Sequence, residues 1–263
     1  MIVPTVLRRI RLQALMARQL VNWRDVWTAY VAGAPMPPLR FRNGLIIHHS
    51  ERDSAGALFF EVFANGCYRR GLPAVLSGDV VDIGANIGTF TLDAATRYPA
   101  AIVHAYEPDP QTCGILRRNV EANGLSSRVR IWNEAVAGEF GILRLWRGEG
   151  SIFASAHLQG DARGDACDVP AVTLQTVVAR TSGRIGVLKL DCEGAEAGLL
   201  EGAGPALDAV EYIVAEYHPT LVPDSLPRIR RVLAPTFDVT TEEGTRCGFM
   251  FRARRARHLD GGS

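Results

Sequence analysis

A glycine-rich turn behind a short strand-like segment constrains this chain more than any other feature. Residues 80–83 are apolar apart from Asp82, and the turn that follows contains Gly84 and Gly88. Short apolar segments of this kind are typical of buried parallel strands. A helical pattern starts near Gly88, so its free N–H groups point back into the turn, where glycine lets a ligand approach the backbone. The segment therefore predicts a strand, a turn and a helix that bind a nucleotide-like ligand.

Strand and helix patterns alternate along most of the chain after this turn. Such an alternation is typical of a parallel, doubly wound sheet. The last two strands are separated by a short turn at Glu243-Gly244-Thr245, so they should pair as an antiparallel hairpin. We predict an α/β fold with a mostly parallel seven-stranded sheet that ends in this hairpin. The predicted strands are 79–84, 101–107, 128–136, a short piece at 141–147, 185–191, 209–216, 237–242 and 246–252, and the helices are 88–97, 110–123, 172–180, 195–203 and 225–234.

Three further patterns complete the predicted organisation. Apolar residues recur at helical spacing over 5–31 and again over 58–68, and Asn43-Gly44 predicts a hairpin turn within 41–48. Residues 148–168 are rich in Gly, Asp and Ala, which predicts a long loop. The chain then divides into a helical extension, a main α/β domain and a flexible tail, namely residues 1–40, 41–253 and 254–263.

Charge and cysteine content argue against several classes of protein. The 263 residues carry 29 basic and 28 acidic side chains, so the net charge of +1 predicts no nucleic-acid and no membrane partner. Five cysteines without a C-x-x-C spacing favour a reduced chain. The N-terminus lacks a signal peptide's apolar segment, and no stretch is long enough to span a membrane. We expect a cytoplasmic protein in which the N-terminal helices offer a surface for a homo-oligomer.

Residues in the turn discriminate between classes of nucleotide. An NAD-binding G-x-G-x-x-G turn would need glycines where Asn86 and Thr89 stand, and the G-K-[ST] of a P-loop is absent. Asp82, at the end of the strand, would repel a diphosphate. Its carboxylate suits a cationic part of a ligand, such as an amino group or a sulfonium.

Acidic and polar residues at the ends of the next two strands extend this argument. Glu107 ends the second strand, where a carboxylate can accept hydrogen bonds from both ribose hydroxyls, and Pro108 fixes the chain as it leaves the strand. Asn133 and Glu134 end the third strand within reach of an adenine edge. Ribose, adenine and a cationic methionine moiety together describe S-adenosylmethionine.

These segments resemble the FkbM-type methyltransferases, a branch of the class I S-adenosylmethionine-dependent fold. The resemblance covers about residues 45–250, with Arg52-Asp53, 61–63 and Tyr68 as its lead-in. It implies methyl transfer, mostly to hydroxyl groups of secondary metabolites, polyketides, sugars and similar small molecules. The stretches that carry it most clearly are 81–90 (VDIGANIGTF), 106–109 (YEPD), 133–136 (NEAV) and 188–196 (LKLDCEGAE), followed by Glu216 and His218.

Pattern and resemblance together assign a set of residues to the cofactor, S-adenosylmethionine. The set comprises the turn and the residues at the ends of the second and third strands. Its members are Asp82, Gly84, Ala85, Asn86, Gly88, Thr89, Glu107, Pro108, Asn133, Glu134 and Ala135.

Three residues downstream are candidates for the chemistry. Methyl transfer needs an aligned acceptor, and an alcohol acceptor also benefits from a positioned base. Asp191 ends the fourth strand, Glu216 ends the fifth, and His218 lies two residues beyond. His218 has the most suitable ordinary pKa for a base, whereas Asp191 is an alternative base or a holder of the methionine amino group. Lys189, the only lysine, shares a strand face with Asp191 and either orients it, touches substrate or forms a salt bridge.

Several functions remain open at this point. We expect no metal, although Asp191, Glu193 and Glu216 offer oxygen ligands that a divalent ion could use. The same fold also supports N- or C-methylation in place of O-methylation. Two further classes of protein fit the pattern less well: an NAD-linked oxidoreductase, and a cofactor-binding protein without catalytic activity that would bind partners through the N-terminal helices.

Overall fold

Helices and strands alternate along the chain of the computed structural model, which describes residues 3–49, 66–148, 151–155, 166–245 and 248–256. The helices are α1 (Val3–Gln19), α2 (Trp23–Ala32), α3 (Thr89–Arg97), α4 (Pro110–Ala122), α5 (Leu174–Arg180), α6 (Glu196–Ala203) and α7 (Ser225–Leu233), with a 3-10 helix at Gly204–Ala209. The strands are β1 (Leu39–Arg40), β2 (Ile46–Ile47), β3 (Asp79–Ile83), β4 (Val103–Tyr106), β5 (Val129–Trp132), β6 (Ala135–Val136), β7 (Gly141–Gly148), β8 (Ser151–Ser155), β9 (Ala166–Val172), β10 (Ile185–Leu190), β11 (Val210–Glu216), β12 (Phe237–Thr245) and β13 (Gly248–Arg255).

Seven of these strands form one central sheet in the order β12-β13-β11-β10-β3-β4-β5. The strands from β11 to β5 in this order are parallel, and β13 lies antiparallel between β12 and β11. The prediction of a mostly parallel seven-stranded sheet that ends in an antiparallel hairpin is confirmed. Chain order reverses between β3 and β10, and ligands bind at the carboxyl ends of strands beside such a reversal.

Apolar side chains on both faces explain why β3 and β10 occupy the middle of the sheet. Every residue of both strands is buried. Val80 packs into one hydrophobic core and Val81 into the other, since neighbouring side chains on a strand point to opposite faces. Burial of each such side chain stabilises the fold by roughly 1.5–3 kcal/mol, so β3 and β10 hold the site between two packed layers.

The N-terminal helices pack on the main domain. Leu12, Met16, Leu20 and Val26 are buried and belong to the same hydrophobic cluster as Val80. The predicted helical segment over 5–31 is thus two helices, α1 and α2, with a shared apolar side. The predicted hairpin within 41–48 is present as the antiparallel pair β1 and β2.

The predicted strand over 128–136 is wrong as a single element. It divides into β5 and β6, which belong to different sheets. The polar residues between them cause the break, because Asn133 donates hydrogen bonds to the carbonyls of Glu107 and Pro108 and Glu134 pairs with Arg180. The chain leaves the central sheet there, and β6 starts a second one.

This second sheet also corrects the predicted loop over 148–168. Four strands pair in the order β6-β9-β7-β8, and β7 is antiparallel to both β8 and β9. Strands β8 and β9 form because their backbones pair with β7, and amino-acid composition does not reveal such pairing. The strand β9 also extends to Val172, so helix α5 begins at Leu174 rather than at 172.

Two remaining predictions concern the segment before β3 and the cysteines. The helix predicted over 58–68 lies mostly outside the described residues, and Tyr68 itself lies in a turn. Cys67 is disulfide-bonded, whereas Cys113, Cys167 and Cys192 are free, so the prediction of a wholly reduced chain is wrong. Within the described residues, no helix is long and apolar enough to cross a membrane.

Candidate active site

A cleft opens at the carboxyl ends of β3, β4 and β10, next to the reversal in strand order. It encloses about 770 Å³ of atom-free space, counting the open solvent at its mouth. The second sheet contributes the opposite wall. The lining residues are Ile83, Gly84, Asn86, Tyr106, Glu107, Pro108, Glu134, Ala135, Val136, Ala137, Leu143, Leu145, Asp191, Cys192, Glu193 and Ala195.

The glycines of the turn serve the protein's own packing. Gly84 has φ +73°, and a Cβ there would lie 1.8 Å from the backbone oxygen of Asp191. Gly88 has φ +92°, and a Cβ there would meet Leu116 at 2.5 Å. Gly84 therefore lets β3 approach the end of β10 closely, and it brings Asp191 to the cleft. Gly84 also lines the cleft, so the expectation that it lets a ligand approach the backbone stays a prediction, whereas Gly88 is not among the lining residues.

Glu107 organises the turn from the end of β4. Its Oε2 accepts a hydrogen bond from the backbone N–H of Asn86 at 2.8 Å, and its Oε1 accepts one from Asp109 at 2.9 Å. The side chain is buried but lines the cleft. Burial raises the pKa of Glu107 to about 7, against the lowering effect of the two backbone N–H groups. Each carboxylate oxygen retains acceptor capacity for a hydroxyl donor.

Asp82 lies in the interior rather than in the cleft, which corrects the prediction that it faces a ligand. It is 0% exposed, and its two oxygens contact the hydroxyl of Thr91 at 2.6 Å and Nζ of Lys189 at 3.1 Å. The prediction failed because the sequence does not show that β10 places a lysine beside Asp82. Asp82 therefore acts on the site through Lys189.

Lys189 connects the turn with Asp191. Its Nζ lies 3.6 Å from Asp191 Oδ2 and donates a hydrogen bond to the carbonyl of Gly84 at 2.6 Å. Burial acts to lower the pKa of Lys189, but the charges of Asp82 and Asp191 outweigh it and hold the pKa above its ordinary value. The ammonium therefore stays charged between two aspartates, and the formal charges of Asp82, Lys189 and Asp191 sum to −1.

His218 lies between two glutamates behind the cleft. Nδ1 is 3.2 Å from Glu196 Oε1, and Nε2 is 3.3 Å from Glu193 Oε2. Burial acts to lower the pKa of His218, yet the hydrogen bond to Glu196 and the charges of both glutamates raise the pKa to about 9. At neutral pH the ring therefore carries a proton on each nitrogen, so it accepts none from a substrate.

The remaining predicted site residues fall into two groups. Asn86, Glu107, Pro108, Glu134 and Ala135 line the cleft together with Gly84 and Asp191. Not among its lining residues are Asp82, Ala85, Gly88, Thr89, Asn133, Glu216 and His218. Of these, Asn133 positions the loop after β4 through its two hydrogen bonds to backbone carbonyls at 2.8 Å.

Comparison with known proteins assigns the family. Residues 82–251 match the model of the methyltransferase FkbM domain. The chain belongs to the FkbM methyltransferase family. It is 31% identical over 212 residues to 31-O-demethyl-FK506 methyltransferase FkbM of Streptomyces tacrolimicus, covering 68% of this chain and 81% of that one. It is 27% identical over 258 residues to methyltransferase sdnD of Sordaria araneosa, covering 85% and 98%.

A solved structure supports the fold of this methyltransferase. The crystal structure of an FkbM methyltransferase from Methylobacillus flagellatus superimposes with a TM-score of 0.51 at 14% identity. The match covers 95% of this chain, which spans 60% of that protein. The Rossmann-like arrangement and the family imply a methyl donor.

Two residues beside the cleft make contacts that the sequence did not predict. Tyr68 donates a hydrogen bond to Asp191 Oδ2 at 2.9 Å, although it lies 123 residues away in the chain. Glu196 is fully buried and accepts hydrogen bonds from the N–H groups of Cys192 and Gly194 as well as contacting His218. Glu193 has φ +52°, unusual for a residue other than glycine, so Glu196 holds a strained loop.

Asp191, Glu193 and His218 form the compact group of potential metal ligands in the described part of the chain. Their ligand atoms lie within 4.8 Å of one another. The group includes His218 instead of Glu216, which the sequence had offered. The expectation of a metal-free site stays a prediction.

Proposed function

We propose that this protein is an S-adenosylmethionine-dependent O-methyltransferase that acts on a hydroxyl group of a small molecule. The charge of the cleft carries the proposal. Its lining includes four carboxyl groups, from Glu107, Glu134, Asp191 and Glu193, and no lysine or arginine among the described residues. Arg180, Lys189 and His218 contact three of these groups from behind the lining. With the buried Asp82 and Glu196 included, six acidic side chains face these three cations, so the excess charge is negative. Such a surface favours a cationic ligand and repels a diphosphate, which favours a sulfonium over a dinucleotide.

The residues around the cleft fit this donor. Glu107 would accept hydrogen bonds from the ribose, at the end of β4. Apolar groups of Pro108, Ala135 and Val136 would surround the adenine, beside the acceptor groups of Glu134. The excess negative charge shared by Asp82, Lys189 and Asp191 would stabilise the cationic end. When bound, S-adenosylmethionine supplies an electrophilic methyl group.

Asp191 is the residue we assign as the base. It lines the cleft, and its Oδ2 is held by Tyr68 and Lys189, which leaves Oδ1 for a substrate hydroxyl. There Asp191 would take the proton from the hydroxyl as the oxygen attacks. The raised pKa of His218 makes it a poor base at neutral pH, so we assign it the role of fixing Glu193 and Glu196.

The second sheet limits the kind of acceptor. Leu143 and Leu145 project from β7 into the cleft. Leu145 is buried, and an apolar wall of this kind excludes water and favours an acceptor with an apolar body. The name of the Streptomyces relative, which specifies an O-demethyl substrate, supports oxygen as the acceptor atom.

The experiment is transfer of a labelled methyl group from S-adenosylmethionine to a panel of apolar molecules that bear one hydroxyl, amine or activated carbon on the same skeleton. The proposal expects label in the hydroxyl compounds and none in the same compounds with the hydroxyl already methylated. Label only in amines would establish N-methylation instead. Absence of transfer to the whole panel, together with absence of S-adenosylmethionine binding, would overturn the proposal.

A further inference from the structure

Ion pairs and hydrogen bonds attach the turn that contains Tyr68 to the main domain. Arg69 forms a two-pronged ion pair with the buried Asp93 of helix α3. Arg252 of β13 donates hydrogen bonds to the carbonyl of Cys67 at 2.6 Å and to that of Arg70 at 2.9 Å, and it pairs with Glu242 at 2.7 Å. Every flank of Tyr68 is thereby attached to an element of the main domain.

These contacts place the hydroxyl of Tyr68 beside the carboxylate of Asp191. Tyr68 is 2% exposed, and its OH donates to Asp191 Oδ2 at 2.9 Å. Its ring packs edge-on against Phe90 at 5.6 Å, and Lys189 Nζ lies 5.4 Å from the ring centre. The ring therefore covers the ammonium that also contacts Asp191, so the hydroxyl and the ammonium meet at the same carboxylate oxygen.

From this geometry we infer that Tyr68 is a positioning residue for methyl transfer, acting through Asp191. The inference rests on the proposed function, in which Asp191 is the base. A carboxylate at a strand end can rotate about its side-chain bonds. The hydrogen bond from Tyr68 and the ion-pair contact with Lys189, both at Oδ2, restrict that rotation and direct Oδ1 to the substrate hydroxyl, which preorganises the proton transfer. Tyr68 itself contacts neither the methyl group nor the proton.

Tyr68→Phe tests this role because it removes only the hydroxyl. We expect kcat to fall about 10-fold, the loss that follows from one hydrogen bond to a charged group. The KM for the donor should stay within about 2-fold, since the change does not touch the cleft's donor-binding residues. Tyr98→Phe is the matched control: Tyr98 is 5% exposed, and its OH donates to the carbonyl of Pro73 at 2.9 Å, outside the cleft. That control should keep the wild-type kcat.

A double-mutant cycle separates positioning from a merely structural effect. If Tyr68 acts through Asp191, then Tyr68→Phe should change the residual single-turnover rate of Asp191→Asn by less than about 2-fold. A full additive loss in the double variant would overturn the inference. So would an unchanged kcat in Tyr68→Phe, or a loss in kcat that Tyr98→Phe reproduces.

Crystal structures of the wild type and of Tyr68→Phe test the positioning role even if the proposed function fails. If the wild type transfers no methyl group, the proposed function fails, and the orientation of Asp191 becomes the readout. A rotated Asp191 carboxylate in Tyr68→Phe supports the positioning role, and an unmoved one overturns it.

Discussion

Strand β3 carries two buried aspartates, one at each end, and they serve different purposes. Asp79, at the amino end, contacts His104 Nε2 at 3.4 Å and accepts a hydrogen bond from the backbone N–H of Ser182 at 2.8 Å. Asp82, near the carboxyl end, contacts Lys189, which in turn contacts Asp191 at the cleft. The first arrangement lies at the edge of the sheet opposite the cleft, and the second reaches the cleft.

The difference shows how parallel strands assign function to position. At the amino end of β3, Asp79 contacts a neighbouring imidazole and accepts a hydrogen bond from a backbone N–H group. None of Asp79, His104 and Ser182 lines the cleft. At the carboxyl ends, one ammonium serves two carboxylates, so a negative charge remains for a ligand or a proton. A buried charged residue therefore does not by itself indicate a functional site. The informative feature is an unbalanced charge that faces a cleft.

The largest expected effect distinguishes Asp191 from Asp79. Asp191→Asn removes the proposed base without changing shape, and we expect kcat to fall about 10²–10⁴-fold, the usual contribution of a general base. Asp79→Asn should lower the melting temperature but keep kcat within a few-fold. Steady-state kinetics and thermal unfolding of both variants check this. Equal losses of kcat in the two variants would contradict the claim that only the carboxyl ends of the strands carry the chemistry.

A smaller effect concerns donor affinity at Glu107. Because burial raises the pKa of Glu107 to about 7, part of the population is protonated at neutral pH, and the neutral carboxyl is the weaker hydroxyl acceptor. Affinity for S-adenosylhomocysteine should therefore increase as pH rises from 6 to 8. Glu107→Gln should bind about 10–100-fold more weakly at pH 8, as expected for hydrogen bonds to a charged group.

Calorimetry across this pH range supplies both measurements. The Gln variant serves as its own control for pH, because its affinity should not change with the titration of residue 107. A flat profile in the wild type, or wild-type affinity in the variant, would remove Glu107 from the donor site.

A third comparison concerns the two histidines and the pH dependence of their effects on stability. The pKa of His218 is raised to about 9 from its ordinary 6.5, so its stabilising effect is complete below pH 6.5 and disappears as pH rises through 9. By linkage this amounts to on the order of 3 kcal/mol. Burial lowers the pKa of His104 instead, so its contribution is present above pH 6.5 and lost at lower pH.

Urea unfolding of His218→Gln and His104→Gln between pH 5 and pH 9.5 checks these opposite signs. The first variant should differ most from wild type at the acidic end and least at pH 9.5. The second should be relatively more stable at the acidic end than near neutrality. Profiles of the same sign would contradict the assigned charge states.

The fold was largely predictable because its signals are local. The apolar segments of β3, β4, β10 and β11 and the close spacing of the last two strands indicate a parallel sheet with a closing hairpin. The turn itself was misplaced, because Glu243-Gly244-Thr245 belongs to β12. The second sheet was not predictable, since β8 and β9 depend on pairing with β7 over a stretch without apolar alternation. Asn133 and Glu134 also interrupt a strand through contacts with distant residues, which local pattern does not reveal.

The sequence predicted where the site lies better than it predicted the contacts of the individual side chains. Glu107 and Asp191 were expected at strand ends and line the cleft. Asp82 was expected to face a ligand, but the lysine of β10 occupies its carboxylate. His218 was favoured as a base from its ordinary pKa, which two neighbouring glutamates change. The contact between Tyr68 and Asp191 spans 123 residues, and no local pattern predicts it.

Titration calorimetry of the wild-type protein with S-adenosylmethionine and, separately, with NADH tests the central claim most directly. The claim is that an acidic cleft at the carboxyl ends of β3, β4 and β10 selects a cationic nucleoside over a diphosphate. It predicts binding of S-adenosylmethionine at micromolar concentrations and no heat from NADH. Binding of NADH, or the absence of any heat from S-adenosylmethionine, would contradict it.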